Sequence, residues 1–271
     1  MPEGDTIFRA ARTLNRALAG TAVVRFESML PALTRVEVTG RTIERVASAG
    51  KHLLMHFSGG LVLRTHMRMN GSWHIYRAGE RWRRPRRDMR IVVATSTFEA
   101  VAFNVPVAEM ILERDLPRHR ELRQLGPDLL GETFDAAEAI ARLRARPDAA
   151  IADALLNQRV LAGIGNVYKS EVLFVCRVNP FTLVREVDEE TLARLVETAR
   201  KFLVANVTER LAPMTTYTGY RKTTRRDAPN ERLWVYGRAR LACRRCATPI
   251  QVKKQGADAR LTYWCPECQR S

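Results

Sequence analysis

The sequence predicts an α+β chain of several domains: an N-terminal β-sandwich with flanking helices, a helical domain, and a small cysteine-rich hairpin at its C-terminal end. Three observations lead there. Short apolar runs separated by Gly turns fill residues 1–125. Beyond Leu125-Gly126-Pro127-Asp128 the apolar period changes to the three-to-four spacing of helices. Four cysteines, Cys243, Cys246, Cys265 and Cys268, then make two C-x2-C pairs across an 18-residue spacer. The boundaries predicted are 1–125 for the first domain, 126–133 for a linker, 134–225 for the helical domain and 235–271 for the hairpin.

In chain order, a first helix is expected with Asp5 or Thr6 as its cap and Ile7, Phe8, Ala11, Leu14 and Leu18 as its apolar stripe. Strands are expected at Val36–Val38, His52–Phe57, Leu61–Arg64 and Trp73–Tyr76, with two more between Arg90 and Phe103. Repeated short strands at this spacing suit a sandwich or barrel. Between them, Arg81 to Arg90 carries six arginines and one acid, Asp88, a run that most often is simply solvated charge. Amphipathic helices follow at Phe134–Arg146, Ala149–Leu161, Val167–Cys176 and Glu189–Asn206. From Arg210 the helical pattern ends, and Arg221–Ser271 holds thirteen Lys/Arg against four Asp/Glu.

The chain has 271 residues, 46% of them hydrophobic, enough for a sizeable core and too apolar for global disorder. Lys+Arg exceed Asp+Glu by 45 to 29, a net charge of +16, which points to a polyanionic partner, nucleic acid before membrane. The most apolar stretch, Ile91–Leu112, is interrupted by Glu99, Asn104, Pro106 and Glu109 and cannot span a bilayer. No basic and apolar leader opens the sequence, so a cytoplasmic location, nucleoid-associated in a bacterium or otherwise intracellular with DNA, is expected.

The cysteine spacing lets two knuckles converge on one tetrahedral ion, so a structural zinc with four thiolate ligands is predicted. Paired disulfides are the alternative, disfavoured in a reducing compartment. Cys176, within an apolar run, reads as a buried core thiol. Gly163-Ile164-Gly165-Asn166 sits between two helices, and the second helix begins with free N–H groups. With Asn166 as donor and Lys169 one turn on, it suits a phosphate clamp, though taken alone it reads more simply as an ordinary Gly-rich helix connection capped by Asn. Pro2, once Met1 is removed, would offer a secondary amine beside the Glu3 carboxylate. Such an amine attacking a sugar carbon gives an iminium that is cationic without protonation, with Glu3 as proton donor. Pro2 as a mere helix opener is the other reading.

Four segments together carry a resemblance: Met1-Pro2-Glu3-Gly4-Asp5-Thr6-Ile7, Gly50-Lys51-His52-Leu53-Leu54, the run from Leu155 to Glu171 with its Gly163-Ile164-Gly165-Asn166 centre, and the four-cysteine finger. In order and spacing they resemble the formamidopyrimidine-DNA glycosylase/endonuclease VIII family over essentially the whole chain. The resemblance implies a helix–two-turn–helix domain, a β-hairpin zinc finger, and a bifunctional DNA glycosylase/AP lyase acting as a monomer on damaged DNA. It implies that Pro2 attacks C1′ of the damaged nucleotide, Glu3 protonates the deoxyribose ring oxygen, and Lys51, Asn166 and Arg260 hold phosphates around it. It also makes the stretch from Arg64 to Gly71 a wedge loop, with Arg68 and Met69 at the vacated stack and Met69 as its apolar plug; core packing is the other reading of Met69.

The formamidopyrimidine branch typically begins Pro-Glu-Leu-Pro-Glu and has an Asn-Asp-Pro-Arg-Arg-Phe-Gly wedge. Here the start is Pro2-Glu3-Gly4-Asp5 and the corresponding stretch is Asn104-Val105-Pro106-Val107-Ala108-Glu109-Met110. The sequence is thus closer to the endonuclease VIII branch, which prefers oxidised pyrimidines, with single-stranded or bubble DNA left open beside duplex. The rivals are a non-catalytic damage-binding zinc protein and an oxidised-purine glycosylase.

Overall fold

The structure is a computed structural model and describes residues 2–208 and 221–270; the stretch from Arg210, where the helical pattern is expected to end, lies outside these up to residue 220. Residues 2–124 form one compact unit, and residues 125–208 with 221–270 another.

The first unit is the expected sandwich. Helix α1 (Gly4–Leu18) precedes β1 (Arg25–Ser28), β2 (Ile43–Ala49), β3 (His52–Phe57), β4 (Leu61–His66), β5 (Ser72–Arg77), β6 (Met89–Ala94), β7 (Phe98–Phe103) and β8 (Val107–Leu112), with a one-turn α2 (Arg120–Arg123) after them. Two antiparallel four-stranded sheets result, ordered β1-β6-β7-β5 and β2-β3-β4-β8. Between them pack Leu53, Met55, Phe57, Leu63, Trp73, Ile75, Ile91, Val93, Ala100 and Ala102, and α1 adds Ile7, Ala10, Ala11, Leu14 and Leu18. Alternation sends Trp73 and Ile75 inward, while Tyr76 belongs to a second apolar cluster.

Several expectations are corrected. The cap of α1 is Glu3, whose carbonyl accepts from the N–H groups of Thr6 and Ile7; Asp5 is already inside the helix, ion-paired with Arg9 at 3.5 Å. Val36–Val38 is no strand: Val38 is buried as irregular chain that follows a one-turn 3-10 helix at Pro31–Leu33. Strands β1, β2 and β8 stand where none was expected; β2 and β8 lie at the edges of their sheet, with few fully buried residues and so weak alternation.

The second unit contains α3 (Ala136–Arg144), α4 (Ile151–Leu156), α5 (Asn166–Val175), α6 (Glu189–Thr208) and a hairpin of β9 (Gln251–Gln255) and β10 (Arg260–Trp264). Asp135 caps α3, its carboxylate accepting from the Glu138 N–H at 3.0 Å. The helix expected over Ala149–Leu161 stops at Leu156. There Asn157 accepts the Arg159 N–H at 3.0 Å, and Gln158 braces the next turn, bonding the carbonyls of Leu156 and Ile164 and the N–H of Gly163. Gly163 has φ 99°, a conformation that strains any residue with a Cβ. From it the chain enters α5, which is buried from Asn166 to Phe174.

Candidate functional site

In the first unit, Pro2 and Glu3 are buried, Glu3 completely, where the chain enters α1. Lys51 occupies the tight turn between β2 and β3, which Gly50 opens at φ 56°. It lies close enough to the His66 ring to depress its basicity. The loop between β4 and β5 is closed by the Gly71 N–H donating to the Met67 carbonyl at 2.9 Å. Met67 is 2% exposed and joins the core, whereas Met69 is 48% exposed; Arg68 beside it is exposed at φ 50°. The Arg68 N–H donates to His66 Nδ1 at 3.1 Å, which ties the loop to the end of β4.

Beneath this loop lies a charged layer that the sequence did not advertise. Arg64, 2% exposed, pairs with Glu109 on β8 and with Glu121 on α2, and His119 reaches Glu109 at 3.0 Å. His52 and His66 meet edge to face at 4.8 Å. Burial, helped by Arg64, pushes the His52 imidazole down to about 2, and burial with Arg68 and Lys51 pushes His66 down to about 4, so both are neutral at neutral pH. Arg64 and Glu109 come together only through the pairing of β4 with β8, a strand the sequence pattern does not mark.

In the second unit, α5 and the hairpin are joined through residues 93 to 95 positions apart in the chain. The Asn166 amide donates to the Leu261 carbonyl at 2.7 Å. Lys169, 1% exposed, donates from Nζ to Asn166 Oδ1 at 2.8 Å and to Thr262 Oγ1 at 2.7 Å. Arg260 is the neighbour of Leu261 at the start of β10, opposite Gln255, and its guanidinium lies 3.7 Å from Asp258. Asn166, Lys169 and Arg260 are thus brought to one place, with Lys169 as the buried member of the group.

Sequence reasoning passed over Glu171. It is completely buried and accepts from the backbone N–H groups of Trp234 (2.7 Å), Val235 (2.8 Å) and Tyr236 (2.8 Å) and from the Thr223 hydroxyl. Burial pushes its carboxyl pKa up and these hydrogen bonds pull it back. A lone carboxylate directly ahead of the apolar run Val172-Leu173-Phe174-Val175 was the available signal.

The four cysteine sulfurs lie within 4.8 Å of one another, with Sγ–Sγ separations of 3.9 Å (Cys243–Cys268), 3.4 Å (Cys246–Cys265) and 3.5 Å (Cys246–Cys268). These are far beyond a disulfide bond, which is about 2.05 Å. Thiolates held about 2.3 Å from a tetrahedral zinc ion stand about 3.8 Å apart, so the set fits a metal ion. The N–H groups of Arg245 and Cys268 each donate to a knuckle sulfur at 3.4 Å, which favours the thiolate. Cys176 stands apart, its Sγ against the Arg194 carbonyl and Thr198, and burial pushes its thiol up. Among the described residues no helix is long and apolar enough to cross a membrane.

Comparison with known proteins follows the same division. Residues 1–106 match the family model of the formamidopyrimidine-DNA glycosylase N-terminal domain, and residues 125–216 that of the formamidopyrimidine-DNA glycosylase H2TH domain. The chain is 43% identical to a probable endonuclease 8 2 of Streptomyces coelicolor, over 99% of this chain and 94% of that one. It is 38% identical to a DNA-(apurinic or apyrimidinic site) lyase of Mycolicibacterium smegmatis, over 99% of each. Its fold matches that of Lactococcus lactis Fpg solved with DNA containing an abasic site, at a TM-score of 0.82 and 22% identity over 99% of this chain and 100% of that one. Sandwich, helical domain and cysteine hairpin follow in the same order along the whole length, and the chain belongs to the formamidopyrimidine-DNA glycosylase/endonuclease 8 family.

Proposed function

We propose that the protein is a bifunctional DNA glycosylase/AP lyase of base excision repair that removes oxidised pyrimidines. The carrying observation is full-length similarity to relatives named endonuclease 8 and DNA-(apurinic or apyrimidinic site) lyase. Three working parts are assigned: a catalytic sandwich (1–125), a helix–two-turn–helix domain (134–225, after a linker at 126–133) and the finger (235–271).

In this reading Met1 is removed and the Pro2 amine attacks C1′ of a flipped nucleotide. The N–C1′ bond forms as the base leaves, and Glu3 delivers a proton to the ring oxygen as the sugar opens. The resulting iminium is the electron sink. The Glu3 carboxylate, having given up its proton, takes the C2′ proton as the 3′ phosphate leaves in β-elimination, and loss of the C4′ proton then expels the 5′ phosphate in δ-elimination. Flipping costs a few kcal/mol, and phosphate contacts offset it. Lys51 serves from the sandwich. Arg260 and Asn166, with the first-turn N–H groups of α5, serve from the second unit, and Lys169 positions both from behind. Met69 fills the gap in the stack, with Arg68 beside it. A zinc ion held by Cys243, Cys246, Cys265 and Cys268 would shape the hairpin and take no part in the chemistry. Pyrimidine preference is supported by the connection between β7 and β8: residues 104–106 leave no room for a separate Arg-Phe wedge.

Borohydride trapping on thymine-glycol and abasic DNA tests the mechanism. The cross-link should map to the peptide beginning at Pro2, and Pro2→Gly should lose most excision while still binding DNA. A cross-link on Lys51, or full activity with a blocked N-terminus, would overturn it. Faster excision of oxidised purines than of thymine glycol would favour the purine reading.

A further inference from the structure

The arginine run between β5 and β6 is a structured crossover. Both strands pair antiparallel with β7 between them, so they run parallel to each other. The link must therefore return from Arg77, opposite Phe98, to Met89, opposite Phe103. Residues 78–88 make this return across the sheet's outer face, where Tyr76, Met89, Val92, Ala94, Val101 and Phe103 form an apolar cluster separate from the main core. Trp82 pins the crossing. Its ring lies 5.8 Å from Phe103 and 6.5 Å from Tyr76, and its Nε1–H donates to Glu99 at 3.0 Å. The Arg83 N–H donates to the Tyr76 hydroxyl at 3.2 Å.

With the backbone held, the guanidiniums are presented outward. Arg86 pairs with Glu27 at 2.9 Å and lies over Trp82. Among the described residues no carboxylate forms an ion pair with Arg81, Arg83, Arg84 or Arg87. Of the glutamates nearby, Glu27 and Glu99 hold Arg25, and Glu80 accepts the Arg77 N–H. The field is felt by His74, whose imidazole burial, Arg84 and Arg83 push down to about 4. Such a concentration of like charge is neutralised when a polyanion docks.

We propose that this crossover is a second DNA-contact surface, which takes the phosphate backbone of DNA flanking the lesion. The proposal rests on the reading of the protein as a DNA repair enzyme and extends it to how that enzyme holds DNA beyond the damaged nucleotide. A phosphate backbone fits better than an acidic peptide. Trp82 is half-buried against the cluster beneath it, and the exposed large apolar side chains lie on other segments, so a peptide would find charge but no apolar groove. Contacts of this kind add affinity and residence without reading sequence.

The test compares the parent with R81Q/R83Q/R84Q, substitutions that keep polar stems and remove charge. Two lesion duplexes are used, one confined to the lesion site and the same one extended on both sides, and thermal melting verifies the fold. Expected is parental affinity and cutting on the short duplex, with weaker binding on the extended one. There the salt slope should be shallower by roughly 0.9 per lost contact, up to about 2.7 for three. Identical affinity and slope on both DNAs would overturn the proposal, as would equal losses on both, which would put the arginines in the lesion site. Unchanged DNA binding together with lost binding of a poly-glutamate peptide would reassign the face to an acidic protein and overturn it too. If the parent cuts neither duplex, the proposed activity falls, while the surface still stands or falls on the difference in binding between the two lengths.

Discussion

Gly71 shows how tightly single residues constrain the loop between β4 and β5. Its N–H closes the loop on the Met67 carbonyl, and a Cβ built at position 71 would stand 2.5 Å from that oxygen and 2.9 Å from the Met67 Cα. Both atoms are backbone, so the loop must open to admit it. Gly71→Ala should therefore cost on the order of 1–3 kcal/mol in urea unfolding. It should also displace Met69, so that excision from duplex DNA falls more than binding of undamaged DNA. Unaltered stability and excision would mean that the loop yields freely and that Met69 needs no fixed position. Arg68 makes the complementary point: a non-glycine residue kept at φ 50° carries strain that a functional side chain can justify.

At the scale of elements, β3 and β4 carry a pH dependence. His52 and His66 are opposite each other in the ladder, and both are held neutral in the fold, at about 2 and about 4. The unfolded chain takes up these protons near pH 6.5. Below that value the unfolded state binds more protons than the native one, so stability falls as pH drops. The slope reaches at most roughly 1.4 kcal/mol per pH unit for each histidine, until the native pKa is passed. Protonation of His66 also removes the acceptor for the Arg68 N–H, so the loop between β4 and β5 should loosen first. Urea midpoints measured from neutral pH down to about 4.5 should decline in the parent and decline less in His66→Gln. A flat profile would contradict the buried, neutral assignment.

At the scale of the whole molecule, the finger is not an appendage to its unit. Its small core of Val235, Cys243, Ile250 and Cys265 includes Phe174 from α5, and Arg245 stacks on both Phe174 and Trp234. Asn166 and Lys169 bond the same hairpin from the start of α5. With so little apolar area of its own, the hairpin would draw its folding free energy from a metal ion held by the four cysteines proposed above. Chelation, or Cys265→Ser, should release Arg260 and disturb α5, so tight DNA binding and strand cleavage should be lost together. Hydrogen exchange should show new exposure at both β10 and the first turn of α5. Metal-free protein that binds and cuts normally would refute this coupling.

Local pattern alone determined much of this protein. Short apolar runs between Gly turns set His52–Phe57 and the paired strands up to Phe103, and three-to-four spacing set α1, α3, α5 and α6. The two C-x2-C pairs specified a four-sulfur cluster before any geometry was known. What the tertiary structure decided involves partners far apart in the chain. The edge strands β2 and β8 exist because β3 and β4 offer them ladders, although their own alternation is weak. Helix α4 ends early because the side chains of Asn157 and Gln158 satisfy the backbone of the turn in place of further helix. Lys169, which reads as a surface phosphate ligand, is buried because Thr262 and Asn166 close over it. The arginine run reads as solvated charge until the parallel arrangement of β5 and β6 forces it across the outer face of a sheet. The physical reason is the same each time: periodicity reports which face of an element is apolar, whereas the partner that face or side chain meets is set by long-range packing.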